Sequence, residues 1–193
     1  MERLDYLWLK WKAMGLLVFG RKAQALAVFD VMVARWPDDR YARASRAHEL
    51  HAAGRTAQAL LDSAELVRLQ PENAHVWFNH GFMLEAHEQL EEARVAMARA
   101  AELSPKLDRA WYGLGMVLIR LGRLDEAVAA LKRNTELQPM SPYGWYQLAR
   151  VHVDRREPEA AAKIIAHLKG FEPKVAAQLE RETGLRGDAR SPA

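Results

Sequence analysis

Small side chains recur along the chain at a fixed interval. Ala25, Ala59, Ala93, Ala127 and Ala161 stand 34 residues apart, and a second small column runs through Ala13, Ala47, Gly81, Gly115 and Ala149 at the same spacing. Large groups keep the same period: Leu16, Leu50, Leu84 and Leu118 follow the second column by three residues, with His152 as its fifth member. Leu9, Trp77, Trp111 and Trp145 precede that column by four, with Arg43 in the remaining place. Apolar positions three and four residues apart lie on one face of a helix, and small residues on that face let two helices approach closely. Each unit is therefore expected to hold two helices that pack on each other. Pro37, Pro71, Pro105, Pro139 and Pro173 separate the units without one insertion, and a unit of this size must stack on its neighbours to bury its apolar face.

With each proline set as position 32, the repeats are 6–39, 40–73, 74–107, 108–141 and 142–175. The first helix of each buries positions 4, 8 and 11. Position 15 holds Gly20, Gly54, Glu88, Gly122 and Arg156, and glycine there permits a left-handed turn between the two helices. Four departures stand out: Arg43 at position 4, Ser63 at position 24, Asn134 at position 27, and Pro158, which is expected to loosen or shift the start of the second helix of repeat five. Residues 174–183 read as a capping helix with Val175, Ala176 and Leu179 inward, Gln178, Glu180, Arg181 and Glu182 outward, and Gly184 as its stop. The expected organisation is one domain over 1–185 and a disordered tail over 186–193.

A second stripe, positions 2, 5, 9 and 12, lies about 130° round the first helix from the core stripe. In repeat one it carries Leu7, Lys10, Met14 and Leu17; in repeat two, Tyr41, Ala44, His48 and His51; in repeat three, His75, Phe78, Phe82 and Glu85, with Asn79 at the rim. Repeat four offers Arg109, Tyr112, Met116 and Ile119, with Arg120 adjacent, and repeat five offers Tyr143, Tyr146, Arg150 and Val153. Aromatic side chains and arginine are the types in which binding energy concentrates. Phe78, Phe82, Tyr112 and Met116 suit apolar side chains of a partner, and Arg109, Arg120 and Arg150 suit an acidic one. The same groups also suit a second arrangement, in which they close partly against one another.

These columns resemble the tetratricopeptide repeat family, whose repeats place Trp at 4, Gly or Ala at 8, glycine near 15, Ala at 20, an aromatic near 24 and Pro at 32. The resemblance covers about residues 6–175 and is fullest in repeats three and four. It implies an all-α fold, an α-solenoid in the form of a right-handed superhelix of five helix-turn-helix repeats with a capping helix. It also implies that the second stripe lines a concave groove for a partner peptide or helix. Family members that clamp the C-terminal carboxylate of heat-shock chaperones use Lys, Asn and Arg at positions 5, 6 and 9. Here Met14, Ser45, Phe78 and Phe82 occupy such places, and a later start retains only Arg150, with Gly113 and Tyr146 in the others. The chain therefore reads as a non-catalytic scaffold or adaptor without that clamp. Two alternatives stay open: a dedicated chaperone of a secreted or assembly subunit, and a regulatory subunit of an enzyme.

Composition narrows the remaining chemistry. Net charge is +3 on 28 basic and 25 acidic residues, with no dense Lys/Arg run, so no nucleic-acid partner is expected. The absence of cysteine removes disulfides and thiolate catalysis. No cofactor is expected. His48, His51 and His75 are the nearest thing to a metal set, but positions 9 and 2 of neighbouring helices lie about 10 Å apart along the axis, too far for one ion. Glu88 beside His87 lacks the second histidine of a metalloprotease motif, and Gly113-Leu114-Gly115 falls inside a helix, where it serves packing. The abundance of Ala and Arg suggests a bacterial source, and a cytoplasmic location is expected.

The N-terminal helix differs from the rest. Tyr6, Leu7, Trp8, Leu9, Trp11, Met14, Leu16, Leu17 and Phe19 leave little polar surface beyond Asp5, Lys10 and Lys12, and those lysines argue against a transmembrane segment. Leu7, Trp8, Trp11 and Met14 thus form a candidate second interface, through which the chain would self-associate, dock on another protein or touch a membrane surface. Alternatively, Trp8 and Trp11 fold back onto the second helix.

Overall fold

A computed structural model describes residues 2–187, and among them there are eleven helices and no strand. Most of the predicted tail, residues 188–193, lies outside the described residues. Residue 187, read as part of that tail, is held in place: the Gly187 N–H donates to Glu180 Oε1 at 2.8 Å.

The helices keep the period of the sequence. After α1 (Glu2–Val18), the first helices α3 (Arg40–Ala52), α5 (Ala74–Ala86), α7 (Asp108–Arg120) and α9 (Pro142–Asp154) each occupy positions 1–13. The second helices α2 (Lys22–Arg35), α4 (Thr56–Leu69), α6 (Leu90–Leu103) and α8 (Leu124–Leu137) each occupy positions 17–30. In repeat five α10 (Pro158–Lys169) also begins at position 17, so the expected shift at Pro158 does not occur. Proline stands there as the first helical residue, where its missing N–H has no intrahelical partner to lose. α10 does end two residues early, and α11 (Pro173–Thr183) starts on the fifth proline, whereas the other four prolines lie between helices.

One turn geometry recurs in all five repeats. The position 16 N–H donates to the position 11 carbonyl: Arg21 to Leu16, Arg55 to Leu50, Gln89 to Leu84, Arg123 to Leu118 and Glu157 to His152, all within 2.8–3.0 Å. This six-to-one bond places position 15 in the left-handed region. Glycine takes it at Gly20, Gly54 and Gly122, while Glu88 (φ 62°) and Arg156 (φ 61°) adopt it despite a side chain. The hydrogen-bonded turn overrides a local preference of about 1–2 kcal/mol.

The core follows the columns. All five position 20 alanines are fully buried, and Ala13, Leu50, Leu84, Leu118 and Ala149 are buried with them. Position 24 supplies Phe29, Met97, Leu131 and Ile165, each fully buried and each contributing about 1.5–3 kcal/mol by leaving water. Close packing explains the glycine at position 8 of repeat four: a Cβ on Gly115 would lie 2.7 Å from Leu131 Cγ. The chain divides into two compact units, 1–96 and 97–193, with the boundary inside α6. In the first unit one cluster gathers Leu9, Ala13, Phe29 and Met32, and another gathers Leu26, Ala47, Leu50 and Met83. In the second unit one cluster runs from Leu118 and Leu131 through Leu148 and Ile165 to Ala176 and Leu179 of α11.

Each first helix after α1 is tied to the loop before it by a side-chain N–H at position 4. Trp77, Trp111 and Trp145 donate Nε1 to the carbonyls of Pro71, Pro105 and Pro139 at 2.7, 3.1 and 2.9 Å. Arg43 does the same through Nε, to Pro37 O at 2.5 Å. The arginine that breaks the aromatic column thus keeps its hydrogen bond.

Candidate functional site

In the first unit the second-stripe residues converge. Ala44, His48 and His51 on α3 and Phe78, Asn79 and Phe82 on α5 share the wall of a cavity of about 310 Å³, floored by Ala47, Ser63, Leu66 and Met83. Spacing explains why: positions 5, 9 and 12 of one helix and 5, 6 and 9 of the next look across the same valley. The floor is opened by the departure at position 24, because Ser63 stands where repeats one, three, four and five carry Phe, Met, Leu and Ile. His51 meets the edge of Phe82 with ring centroids 5.2 Å apart, so these two close partly on each other while Phe82 stays 47% exposed. His51 Nδ1 is buried without a hydrogen-bond partner at this wall. Two predicted members lie elsewhere. Tyr41 packs edge-on against Phe29, with the Lys10 ammonium 4.4 Å from its ring centre, and His75 is exposed at the start of α5.

Ser63 also links the cavity floor to a histidine behind it. Its hydroxyl donates to Leu60 O at 2.9 Å and lies 2.8 Å from His80 Nδ1, so the neutral ring is assigned a proton on Nδ1. Burial pushes the His80 pKa below its ordinary value, since the imidazolium would lose hydration. The unfolded chain then takes up a proton below about pH 6.5 that the folded chain declines. Folding stability is expected to fall as pH drops from about 6.5 toward 5. His80→Leu, which copies Leu114 and Leu148 at the same position, should reduce that slope in urea-unfolding midpoints measured across this window. Equal slopes for the two chains would refute the assignment. The carboxylates of Glu157, Glu180 and Glu182 are also held below their ordinary value, chiefly by hydrogen bonds from His152, Lys169 and Tyr146, but they titrate lower.

The second unit carries a different cavity, of about 400 Å³. Tyr112, Tyr143 and Tyr146 line it with Gln147, Glu172, Val175 and Gln178. Tyr146 Oη donates to Glu182 Oε2 at 2.6 Å, Gln178 Nε2 donates to Glu182 Oε1 at 2.8 Å, and the Arg150 guanidinium lies 5.9 Å from the Tyr146 ring centre. Gln178 and Glu182, expected on the outer face of α11, are exposed there and reach the rim beside the tyrosines of α9. Glu180, partly exposed, takes the Lys169 ammonium at 2.8 Å. The carboxylate of Glu182 accordingly takes a place near Arg150 that an acidic partner would use. Arg109, Met116 and Arg120 are not among the residues lining this cavity. At α1, Trp8 and Trp11 are 62% and 66% exposed, and Leu7 and Met14 are exposed as well, so the tryptophans do not fold back onto α2.

The residues that sequence reasoning passed over are charged ones in the core. Asp62, 1% exposed, accepts from Arg43 Nη1 at 2.9 Å, from Arg46 Nε at 2.6 Å and from Arg46 Nη2 at 2.7 Å. The signal was available: position 23 is Val, Ala, Ala and Ile in the other repeats. Among the described residues no group of three or more His, Cys, Asp or Glu is placed to hold a metal ion, and no helix is long and apolar enough to cross a membrane.

Comparison with known proteins agrees with this architecture. Residues 84–146 match the family model described as tetratricopeptide repeat. No curated protein matches the sequence. Among solved structures, YrrB, described as a TPR protein with an unusual peptide-binding site, is 22% identical with a TM-score of 0.75 over 88% of both chains. MamA from Desulfovibrio magneticus RS-1, residues 41 to the end, is 18% identical with a TM-score of 0.78, over 92% of this chain and 96% of that one. TTC0263 of Thermus thermophilus, a thermophilic TPR protein, is 21% identical with a TM-score of 0.62, over 93% and 97%. Residues 84–146 thus match tetratricopeptide repeats by sequence, and the chain as described has the tetratricopeptide-repeat fold.

Proposed function

We propose that this chain is a non-catalytic protein-binding scaffold that takes an apolar side chain of a partner peptide or helix into the cavity between α3 and α5. The observation that carries this is the convergence of His48, His51, Phe78, Asn79 and Phe82 on one cavity of about 310 Å³. Its walls are mostly apolar, with a few polar atoms at the rim and an unpartnered buried nitrogen on His51, the composition that receives one anchoring side chain and a hydrogen-bonding group beside it. A half-exposed Phe82 gains by being covered. YrrB, with its peptide-binding site, supplies a precedent on the same fold.

The second unit supports a contribution of another kind. Tyr143, Tyr146 and Arg150 offer polar aromatic surface, and Glu182 there balances the arginine, so the acidic partner favoured by the arginine count is not required at this cavity. The test is selection of displayed peptides on the full chain, followed by anisotropy titration of those selected. Phe78→Ala with Phe82→Ala should weaken binding by about ten-fold or more while leaving the helical signal unchanged. Undiminished binding would end this reading.

A further inference from the structure

We infer that the exposed face of α1 is a docking site for an amphipathic helix of another protein, seated where the second helix of a preceding repeat would lie. Seven of the thirteen large apolar side chains exposed among the described residues fall between Leu4 and Phe19. At 100° per residue Leu4, Leu7, Trp8, Trp11, Met14 and Val18 form one continuous face of α1, opposite the Leu9 and Ala13 that pack on α2. No element among the described residues covers that face.

The repeat identifies what fits. Trp8 and Gly15 hold positions 3 and 10. In the other repeats position 3 is Ala42, Val76, Ala110 and Gly144, buried except for the half-buried Val76, and position 10 is Glu49, Met83, Val117 and Val151, all buried. Within each compact unit, the helix beside such a first helix is the second helix of the preceding repeat: α2 beside α3, α4 beside α5, α8 beside α9. The Trp8 and Gly15 edge of that face is therefore one that elsewhere in this chain receives a helix, while Leu7 and Met14 continue it along the groove stripe. Its exposed tryptophans supply large rigid anchors that the internal contacts, built at position 3 on alanine, valine and glycine, do not need.

Charge decides among occupants. Arg3 and Lys10 flank one edge of the face and Lys12 the other, while Asp5, the nearby acid, is bonded to Arg35 at 2.8 Å. A second copy docked face to face would set Lys12 against Lys12, so acidic flanks on a different helix fit better. An anionic bilayer shares that charge preference but lacks the register of the repeat.

The test uses the full chain and a synthetic helical peptide of about 18 residues with a Leu/Ala stripe flanked by glutamate, its lysine-flanked twin, and vesicles of phosphatidylglycerol in phosphatidylcholine. The glutamate peptide should bind, about ten-fold more tightly than its twin, and Trp8→Ser with Trp11→Ser should cost about ten-fold or more at unchanged helicity. Phe78→Ala with Phe82→Ala should leave this binding unaltered, which separates it from the cavity between α3 and α5. No binding at about 1 mM peptide, equal binding of the twin, or indifference to the tryptophan substitutions would overturn the proposal. So would a dimer of the chain alone, or vesicle binding, that the same substitutions abolish.

Discussion

Replacing Asp62 by alanine is expected to destabilise the first unit by about 3 kcal/mol or more, among the largest effects of any single substitution in this chain. Asp62 sits at position 23 of repeat two, in a column that buries Val28, Ala96, Ala130 and Ile164 elsewhere. Its carboxylate takes three N–H groups, from Arg43 and Arg46, whose side chains are themselves mostly buried. Removing the anion leaves two guanidinium groups in a site built to neutralise them. Arg46 keeps only Asp30, at 3.2 Å and half exposed, and Arg43 keeps Pro37 O. The value belongs at the lower end of the range for broken buried pairs, because both arginine heads can turn partway to water.

The same logic predicts rescue. Repeat four carries Trp111, Leu114 and Ala130 at positions 4, 7 and 23, where repeat two has Arg43, Arg46 and Asp62. The triple substitution Arg43→Trp, Arg46→Leu, Asp62→Ala should restore the stability lost by Asp62→Ala, since a well-packed apolar cluster commonly equals or exceeds a buried ion network. Trp at 43 would also inherit the bond to Pro37 O that Trp77, Trp111 and Trp145 make to their own prolines. Urea unfolding of the three chains decides. A loss of less than about 1 kcal/mol for Asp62→Ala would show that the network contributes little, and failure of the triple to recover would show that its geometry is specifically required.

These cases mark where sequence reasoning reached and where it stopped. Column identity told which face of each helix is buried, because burial at a repeated position is dictated by backbone geometry common to all repeats. It also located the small positions 8 and 20, where helices touch. Compensation between columns was harder to see. Arg43 looked like a missing aromatic, yet it supplies an N–H at the same place, and its charge is explained only once Asp62 and Arg46 are seen beside it. Pro158 looked disruptive because proline is costly inside a helix, but the period itself puts it at the first helical position. Glycine at position 15 permits the left-handed turn, and Glu88 and Arg156 adopt it as well under the pull of a shared hydrogen bond. For the candidate site, spacing brought His48, His51, Phe78 and Phe82 to one cavity. It did not reveal the bond from Tyr146 to Glu182, which depends on how α11 enters three residues ahead of the repeat register.

Gly144→Ala should destabilise the second unit by about 2–4 kcal/mol, although alanine is the better helix former by about 1 kcal/mol. Gly144 is buried at position 3 of repeat five, and a methyl there would overlap Asn134 Oδ1 and lie 3.1 Å from Thr135 Cγ2. Asn134, the departure at position 27, is buried and donates Nδ2 to Asp108 O at 2.9 Å. To admit the methyl the carboxamide must turn, which breaks its bond to Asp108 O and leaves the buried Asn134 amide without that partner. The asparagine and the glycine are thus one compensated pair, and repeat three with the start of repeat four shows its simpler equivalent: Ala100 at position 27 and Ala110 at position 3, both fully buried. Asn134→Ala alone should cost about 1–2 kcal/mol through the lost bond to the Asp108 carbonyl and the space the side chain vacates. Adding Gly144→Ala to it should cost nothing further, because the obstruction has gone and the helix gains an alanine. A double-mutant cycle in urea should therefore give a coupling of about 2 kcal/mol or more. Additivity within about 0.5 kcal/mol would mean that the two positions act independently and that the glycine is held for another reason.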